Sequence, residues 1–60
     1  MKFEIGDMVK LSQKKIGPYD EFKTYRGIVI DIVKKNYTVH WINTDQTYDG
    51  YTTDELEKVS

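Results

Sequence analysis

The chain has 60 residues, enough for one small core, so we expect a single domain over residues 1–60. It carries 9 Lys and Arg side chains against 10 Asp and Glu side chains, which argues against a strongly electrostatic nucleic-acid binder. There is no cysteine, so disulfides and cysteine-based zinc or redox sites are excluded. Because His40 is the one histidine, a multi-histidine metal site is excluded too, and we expect no metal and no cofactor.

The N-terminal residues 1–6 contain no apolar run long enough for a signal peptide or a membrane span. We therefore expect a cytoplasmic protein that does not associate with membranes. No segment shows helical periodicity over three turns, and β-branched and aromatic residues dominate the apolar set. This composition predicts an all-β fold.

The first predicted strand is Met8–Leu11, which follows the turn pair Gly6-Asp7. Its alternation places Val9 and Leu11 on one face.

Residues 12–25 form the next predicted feature, a long polar loop that is broken by Gly17-Pro18. Its three aromatic side chains are unusual for a solvated loop, so we expect at least one of them to pack back onto the sheet. They are Tyr19, Phe22 and Tyr25.

The clearest feature is a β-hairpin over Arg26–Ile42. Gly27–Val33 is its outgoing strand and Tyr37–Ile42 is its return strand. In the connecting turn, Asn36 is expected to adopt the left-handed conformation that a short hairpin loop requires. The return strand alternates between two faces, one with Tyr37, Val39 and Trp41 and the other with Thr38 and His40.

The C-terminal part begins with a polar turn over residues 43–47, followed by a short strand over Tyr48–Thr52. Gly50 is expected to form a bulge in that strand. Thr52 and Glu55 have the spacing of a capping box and predict one turn of helix. Leu56 is then expected to close the core, and residues 57–59 to form the last strand.

The segment Gly6–Leu11 followed by Gly27–Ile32 resembles the opening of KOW, Tudor-like and related SH3-like barrels. In those families a glycine, a valine two residues on and an aliphatic residue three further on mark the second strand; here they are Gly27, Val29 and Ile32. Residues 37–41 and 54–59 resemble the same group, and the ending is similar to that of the SH3-like accessory subunit of photosystem I. The resemblance implies a five-stranded SH3-like barrel with a long first loop and a single helical turn before the last strand. It marks the fold and leaves the ligand open.

Aromatic and acidic side chains in the loops are the candidate partner-binding residues. We expect a groove between residues 12–25 and the turn over residues 43–49, with tyrosines along it and acids around its rim. Tyrosine suits such a surface because it combines a large rigid contact area with a hydroxyl group. The alternative is that these rings only complete a small core, which is the interpretation we favour for Trp41. The predicted partner-binding residues are Tyr19, Asp20, Glu21, Tyr25, Asp45, Tyr48, Asp49 and Tyr51.

Lysines supply an alternative, a KOW-like nucleic-acid interface in which ammonium groups contact phosphates. The opposing interpretation is a solvated surface whose lysines protect strand edges. The residues concerned are Lys14, Lys15, Lys34 and Lys35.

Catalytic patterns do not emerge from the remaining polar residues. The acids over residues 45–57 lack the ligand spacing of an EF-hand calcium loop. Ser12 and Ser60 lie in no nucleophile motif, and there is no glycine-rich phosphate loop. We therefore expect a binding module or adaptor that recognises a protein partner and is not an enzyme. A phage-encoded accessory or host-modulating protein is a further alternative, and strand edges also allow homo-oligomers.

Overall fold

The computed structural model describes residues 2–18 and 20–59, and these form a five-stranded antiparallel sheet. The strand order is β4-β3-β2-β1-β5, so the Arg26–Ile42 hairpin lies within the sheet and β4 and β5 are its edges. This confirms the predicted all-β class with five strands. The strands are β1 (Met8–Leu11), β2 (Gly27–Val33), β3 (Asn36–Trp41), β4 (Gln46–Tyr51) and β5 (Leu56–Lys58).

The predicted strand bounds are close to the observed ones, and the largest difference is at β4. This strand begins at Gln46, which pairs with Trp41, two residues earlier than predicted. The intervening residues 42–45 form the turn, and Asp45 at its end has a φ of 55°. Asp tolerates this left-handed conformation, so the chain reverses early and polar residues enter the strand.

The long first connection contains two short helical segments, α1 (Gln13–Ile16) and a 3₁₀ helix (Asp20–Thr24). Ser12 begins α1: its hydroxyl accepts from the Lys15 N–H at 3.4 Å and donates to the Asp54 carbonyl at 2.7 Å. The loop is therefore tied to the turn that precedes β5. Within residues 2–18 and 20–59, no helix is long and apolar enough to cross a membrane.

One compact core holds the sheet together. Tyr37, Val39 and Trp41 are buried on the same face of β3, as their alternation predicts. Gly27 packs against them so closely that an added Cβ would lie 2.5 Å from a Val39 methyl carbon and 2.8 Å from the Trp41 ring. Among the described residues, the buried side chains that cluster in this core are Phe3, Val9, Val29, Tyr37, Val39, Trp41 and Leu56. Ile16 of α1 is buried outside this cluster.

The turn of the β2–β3 hairpin differs from the prediction. Val33 pairs with Asn36, so the loop contains only Lys34 and Lys35. Lys34, with a φ of 57°, takes the left-handed conformation that was expected of Asn36, which belongs to β3. A positive φ at the first loop residue is the pattern of a type II′ turn.

Gly50 forms the predicted bulge in β4. Tyr37 pairs with Tyr51, whereas Val39 pairs with Tyr48, so β4 has one more residue than β3 between these pairs. Gly50 has a φ of 84°, a conformation that glycine adopts at little cost.

The single turn before β5 also fits the prediction. The Glu55 N–H donates to the Thr52 carbonyl at 3.1 Å, and the Glu55 carboxylate accepts from the Thr52 N–H at 3.0 Å. Leu56, which follows directly, is 1 % exposed and belongs to the core.

Candidate functional site

A groove of about 300 Å³ lies between the first connection and the β3–β4 hairpin. Five aromatic side chains line it, together with Lys15 and neighbouring polar residues, and we call it the aromatic groove. The five are Phe22, Tyr25, Trp41, Tyr48 and Tyr51.

Contacts between the rings fix the shape of the aromatic groove. Tyr25 contacts Phe22 edge to face, with ring centroids 5.1 Å apart, and lies 6.4 Å from the Trp41 ring. Trp41 in turn contacts Tyr51 edge to face at 5.8 Å. Edge-to-face pairs of this kind are a preferred aromatic geometry, so four of the five rings form a continuous array.

Trp41 belongs both to the core and to the groove. The residue is only 3 % exposed, and its indole Nε1–H donates to the Tyr51 hydroxyl at 3.1 Å. This bond satisfies a buried donor and fixes the Tyr51 ring. The core role expected for Trp41 is therefore correct, and the ring also forms part of the groove surface.

The bulge at Gly50 determines which side chains of β4 reach the groove. In a regular strand, residues three positions apart point to opposite faces. The extra residue in β4 lets both Tyr48 and Tyr51 line the groove. Tyr48 is 52 % exposed, and its hydroxyl donates to Gln46 Oε1 at 2.6 Å, which holds the ring at the groove surface.

Lys15 is the charged residue of the aromatic groove. Its ammonium group forms an ion pair with Glu55 at 3.1 Å. The Thr52 N–H and then Lys15 hold the pKa of Glu55 below its ordinary value. The groove is thus bordered by a neutralised pair and not by an unopposed carboxylate.

Two of the acids predicted for the rim, Asp45 and Asp49, are not among the residues that line the groove. Asp45 lies 3.2 Å from Nε2 of His40, on the face of β3 opposite Trp41, and its side chain is 92 % exposed. Asp49 lines a separate small cavity with Val33 and Thr38. The structure therefore does not bring these two acids together with the rings, and their role in binding stays a prediction.

Three of the predicted partner-binding residues belong to the first connection, just before Phe22. Tyr19 lies outside the described residues, as do the side chains of Asp20 and Glu21. Of the predicted set, the structure brings together Tyr25, Tyr48 and Tyr51. Their role in binding stays a prediction.

The predicted partner-binding set leaves out six of the residues that line the groove. Phe22 had a signal, since an aromatic residue in a polar loop needs an apolar surface. Lys15 was predicted only for the nucleic-acid alternative, and the sequence carries no signal for its ion pair, which joins residues 40 positions apart in the chain. The six are Leu11, Lys15, Phe22, Trp41, Thr44 and Gln46.

The four lysines of the nucleic-acid alternative divide into two pairs. Lys14 lies 3.9 Å from Asp54, and Lys15 pairs with Glu55. Lys34 and Lys35 instead line a cavity of about 480 Å³ that also includes Lys2. We call this space the lysine cavity.

In the described part of the chain, no group of three or more His, Asp or Glu side chains is arranged to hold a metal ion.

No family model, curated protein or solved structure matches the chain.

Proposed function

We propose that this chain is an SH3-like barrel that binds an extended segment of a protein partner in the aromatic groove. The observation that carries the proposal is the continuous array of aromatic rings between the first connection and the β3–β4 hairpin.

The strand arrangement supports the SH3-like part of the proposal. The sheet order β4-β3-β2-β1-β5 is fully antiparallel, with consecutive strands paired from β1 to β4 and β5 returning beside β1. The longest connection joins β1 to β2, and one turn precedes β5. These are the features that the resemblance to SH3-like barrels implies.

The chemistry of the groove supports a protein partner. Aromatic rings gain free energy when they are covered, and Tyr and Trp are enriched among the residues that dominate protein interfaces. The hydrogen bonds of Tyr48 and Tyr51 hold both rings before a partner arrives, which lowers the entropy cost of binding. Since the Asp45 and Asp49 side chains lie away from the groove, ring contacts and not acid contacts are expected to provide the affinity.

Tyr48 gives the sharpest test because it is the most exposed ring of the described groove and lies outside the core. Peptides selected from a displayed random library on the wild-type protein supply ligands for the measurement. We expect Tyr48→Ala to weaken their binding by about tenfold or more, since truncating an interface tyrosine commonly costs more than 1 kcal/mol. Titration followed by the fluorescence of Trp41, the one tryptophan, measures the dissociation constant.

Asp49→Ala is the matched control, because Asp49 follows Tyr48 directly but lines a different cavity. We expect its affinity to equal that of the wild type. If Tyr48→Ala binds the selected peptides as tightly as the wild type does, the aromatic groove is not the binding surface.

A further inference from the structure

The lysine cavity lies beside the β2–β3 turn, away from the residues that line the aromatic groove. It has a volume of about 480 Å³, within the range of small-molecule sites. Three lysines line it, Lys2, Lys34 and Lys35, together with the neutral polar residues Asn36 and Thr53. The ammonium group of Lys2 also lies 5.4 Å from the centre of the Phe3 ring.

None of the lining residues of this cavity is acidic, although the chain contains 10 Asp and Glu residues. The acids nearest in sequence to Thr53 are already paired with lysines of α1, and Glu55 also accepts from the N–H of Thr52, a lining residue of the cavity. Lys14 approaches Asp54, and Lys15 binds Glu55. Among the described residues, no ion pair neutralises the three lysines of the cavity.

Like charges that share a cavity repel one another, and a bound anion relieves that repulsion. The net charge of the whole chain is −1, so this positive cluster does not follow from a generally basic composition. The side chains of Asn36 and Thr53 form no hydrogen bond with a described residue and are free to donate to a ligand.

We propose that the lysine cavity binds a phosphate group carried by a small organic molecule. A phosphate has several acceptor oxygens and close to two negative charges, which suits a cavity lined by three lysines and by neutral polar residues. The cavity is larger than a phosphate ion, so an attached organic part has room beside the lysine methylene groups.

Inorganic pyrophosphate is the first probe, titrated into ¹⁵N-labelled protein at constant ionic strength. We expect saturable shifts of the Lys35, Asn36 and Thr53 amide signals. Replacing Lys34 and Lys35 by Gln should weaken binding by roughly five- to tenfold, since two exposed charge contacts are lost.

The control replaces Lys10 and Lys58 by Gln, which removes the same amount of charge at two lysines that line neither the lysine cavity nor the aromatic groove. This variant should bind pyrophosphate as the wild type does. Equal weakening in both variants, or shifts that spread over all lysines without saturation, would overturn the proposal.

A short single-stranded oligothymidylate is the second probe and distinguishes the source of the phosphate. Tighter binding of pyrophosphate than of the oligonucleotide supports a small phosphorylated ligand. Binding of the oligonucleotide alone would overturn the proposal in favour of a nucleic-acid backbone.

Discussion

Lys34 adopts a backbone conformation that suits glycine better than lysine. Its φ of 57° lies in the left-handed region, which costs a residue with a Cβ about 1–2 kcal/mol. The pairing of Val33 with Asn36 leaves room for only two loop residues, so the chain must reverse sharply at Lys34. Lys34 also lines the lysine cavity.

We predict that Lys34→Gly stabilises the protein by up to about 1 kcal/mol. Glycine relieves the left-handed strain, and its greater freedom in the unfolded chain offsets part of that gain. The matched control is Lys35→Gly, because the φ of Lys35 is not positive. It should lower the free energy of unfolding by roughly 0.5–1 kcal/mol. Urea unfolding followed by Trp41 fluorescence measures both, and equal changes in the two variants would contradict the prediction.

The error at Asn36 shows what residue types alone convey about a turn. Asparagine tolerates the left-handed conformation, so the sequence pointed to it. The position that needs this conformation is set by strand register, which depends on Tyr37 and Val39 pairing with β2 and entering the core. Register is a property of two strands together, and a single residue preference does not determine it.

At the scale of elements, the turn between β4 and β5 is bonded to the first connection. Glu55 accepts from the Thr52 N–H within the turn and from Lys15 of α1. The Ser12 hydroxyl donates to the Asp54 carbonyl at 2.7 Å. The capping box was predictable from the spacing of Thr52 and Glu55, whereas the contacts with the first connection depend on the folded topology.

We predict that Glu55→Ala lowers the free energy of unfolding by about 0.5–1 kcal/mol near neutral pH. Because the Thr52 N–H and then Lys15 hold the pKa of Glu55 below its ordinary value of 4.5, the folded state favours the charged carboxylate. Its contribution is therefore present above 4.5 and is lost as the pH falls through the lowered folded pKa. The difference between variant and wild type should shrink toward zero in acid.

Glu57→Ala is the control for this pH dependence, since it removes an equal charge from an exposed residue two positions along the chain. Urea unfolding of the three proteins at several pH values from about 7 to 3 tests the prediction. A Glu55→Ala deficit that stays constant in acid would mean that the carboxylate charge does not stabilise the turn.

Only part of the aromatic groove could be predicted from the individual strands and turns. The bulge at Gly50 was predictable, because glycine within a short strand is typical of one. Its consequence, that Tyr48 and Tyr51 line the same groove, needs the pairing register of β4 with β3. The sequence did not show for the same reason that Asp45 and Asp49 lie outside the groove lining, since the position of each depends on how the backbone turns beside it.

At the scale of the whole molecule, strand alternation predicted most of the core but not all of it. Alternation placed Tyr37, Val39 and Trp41 on one face of β3, and all three are buried. It placed Val9 and Leu11 on one face of β1, where Val9 is buried and Leu11 is partly buried against the core. Phe3 was not assigned, because it lies outside any strand and carries no periodic signal. It is 0 % exposed and contacts Tyr37 edge to face at 5.2 Å, and its N–H donates to the Tyr37 hydroxyl at 3.4 Å.

The residues before β1 are therefore part of the fold, and the last prediction concerns them. A domain of this length has a stability of roughly 3–9 kcal/mol, and truncating a buried phenylalanine to alanine costs about 3–5 kcal/mol. We predict that Phe3→Ala loses most of its stability and is partly unfolded near 37 °C. Ile5→Ala, at a side chain 64 % exposed, should change it by less than about 0.5 kcal/mol. Thermal unfolding followed by near-ultraviolet circular dichroism compares them. The two substitutions differ in expected destabilisation because the Phe3 ring is buried and the Ile5 side chain is exposed. Similar unfolding midpoints for both variants would therefore show that Phe3 does not complete the core.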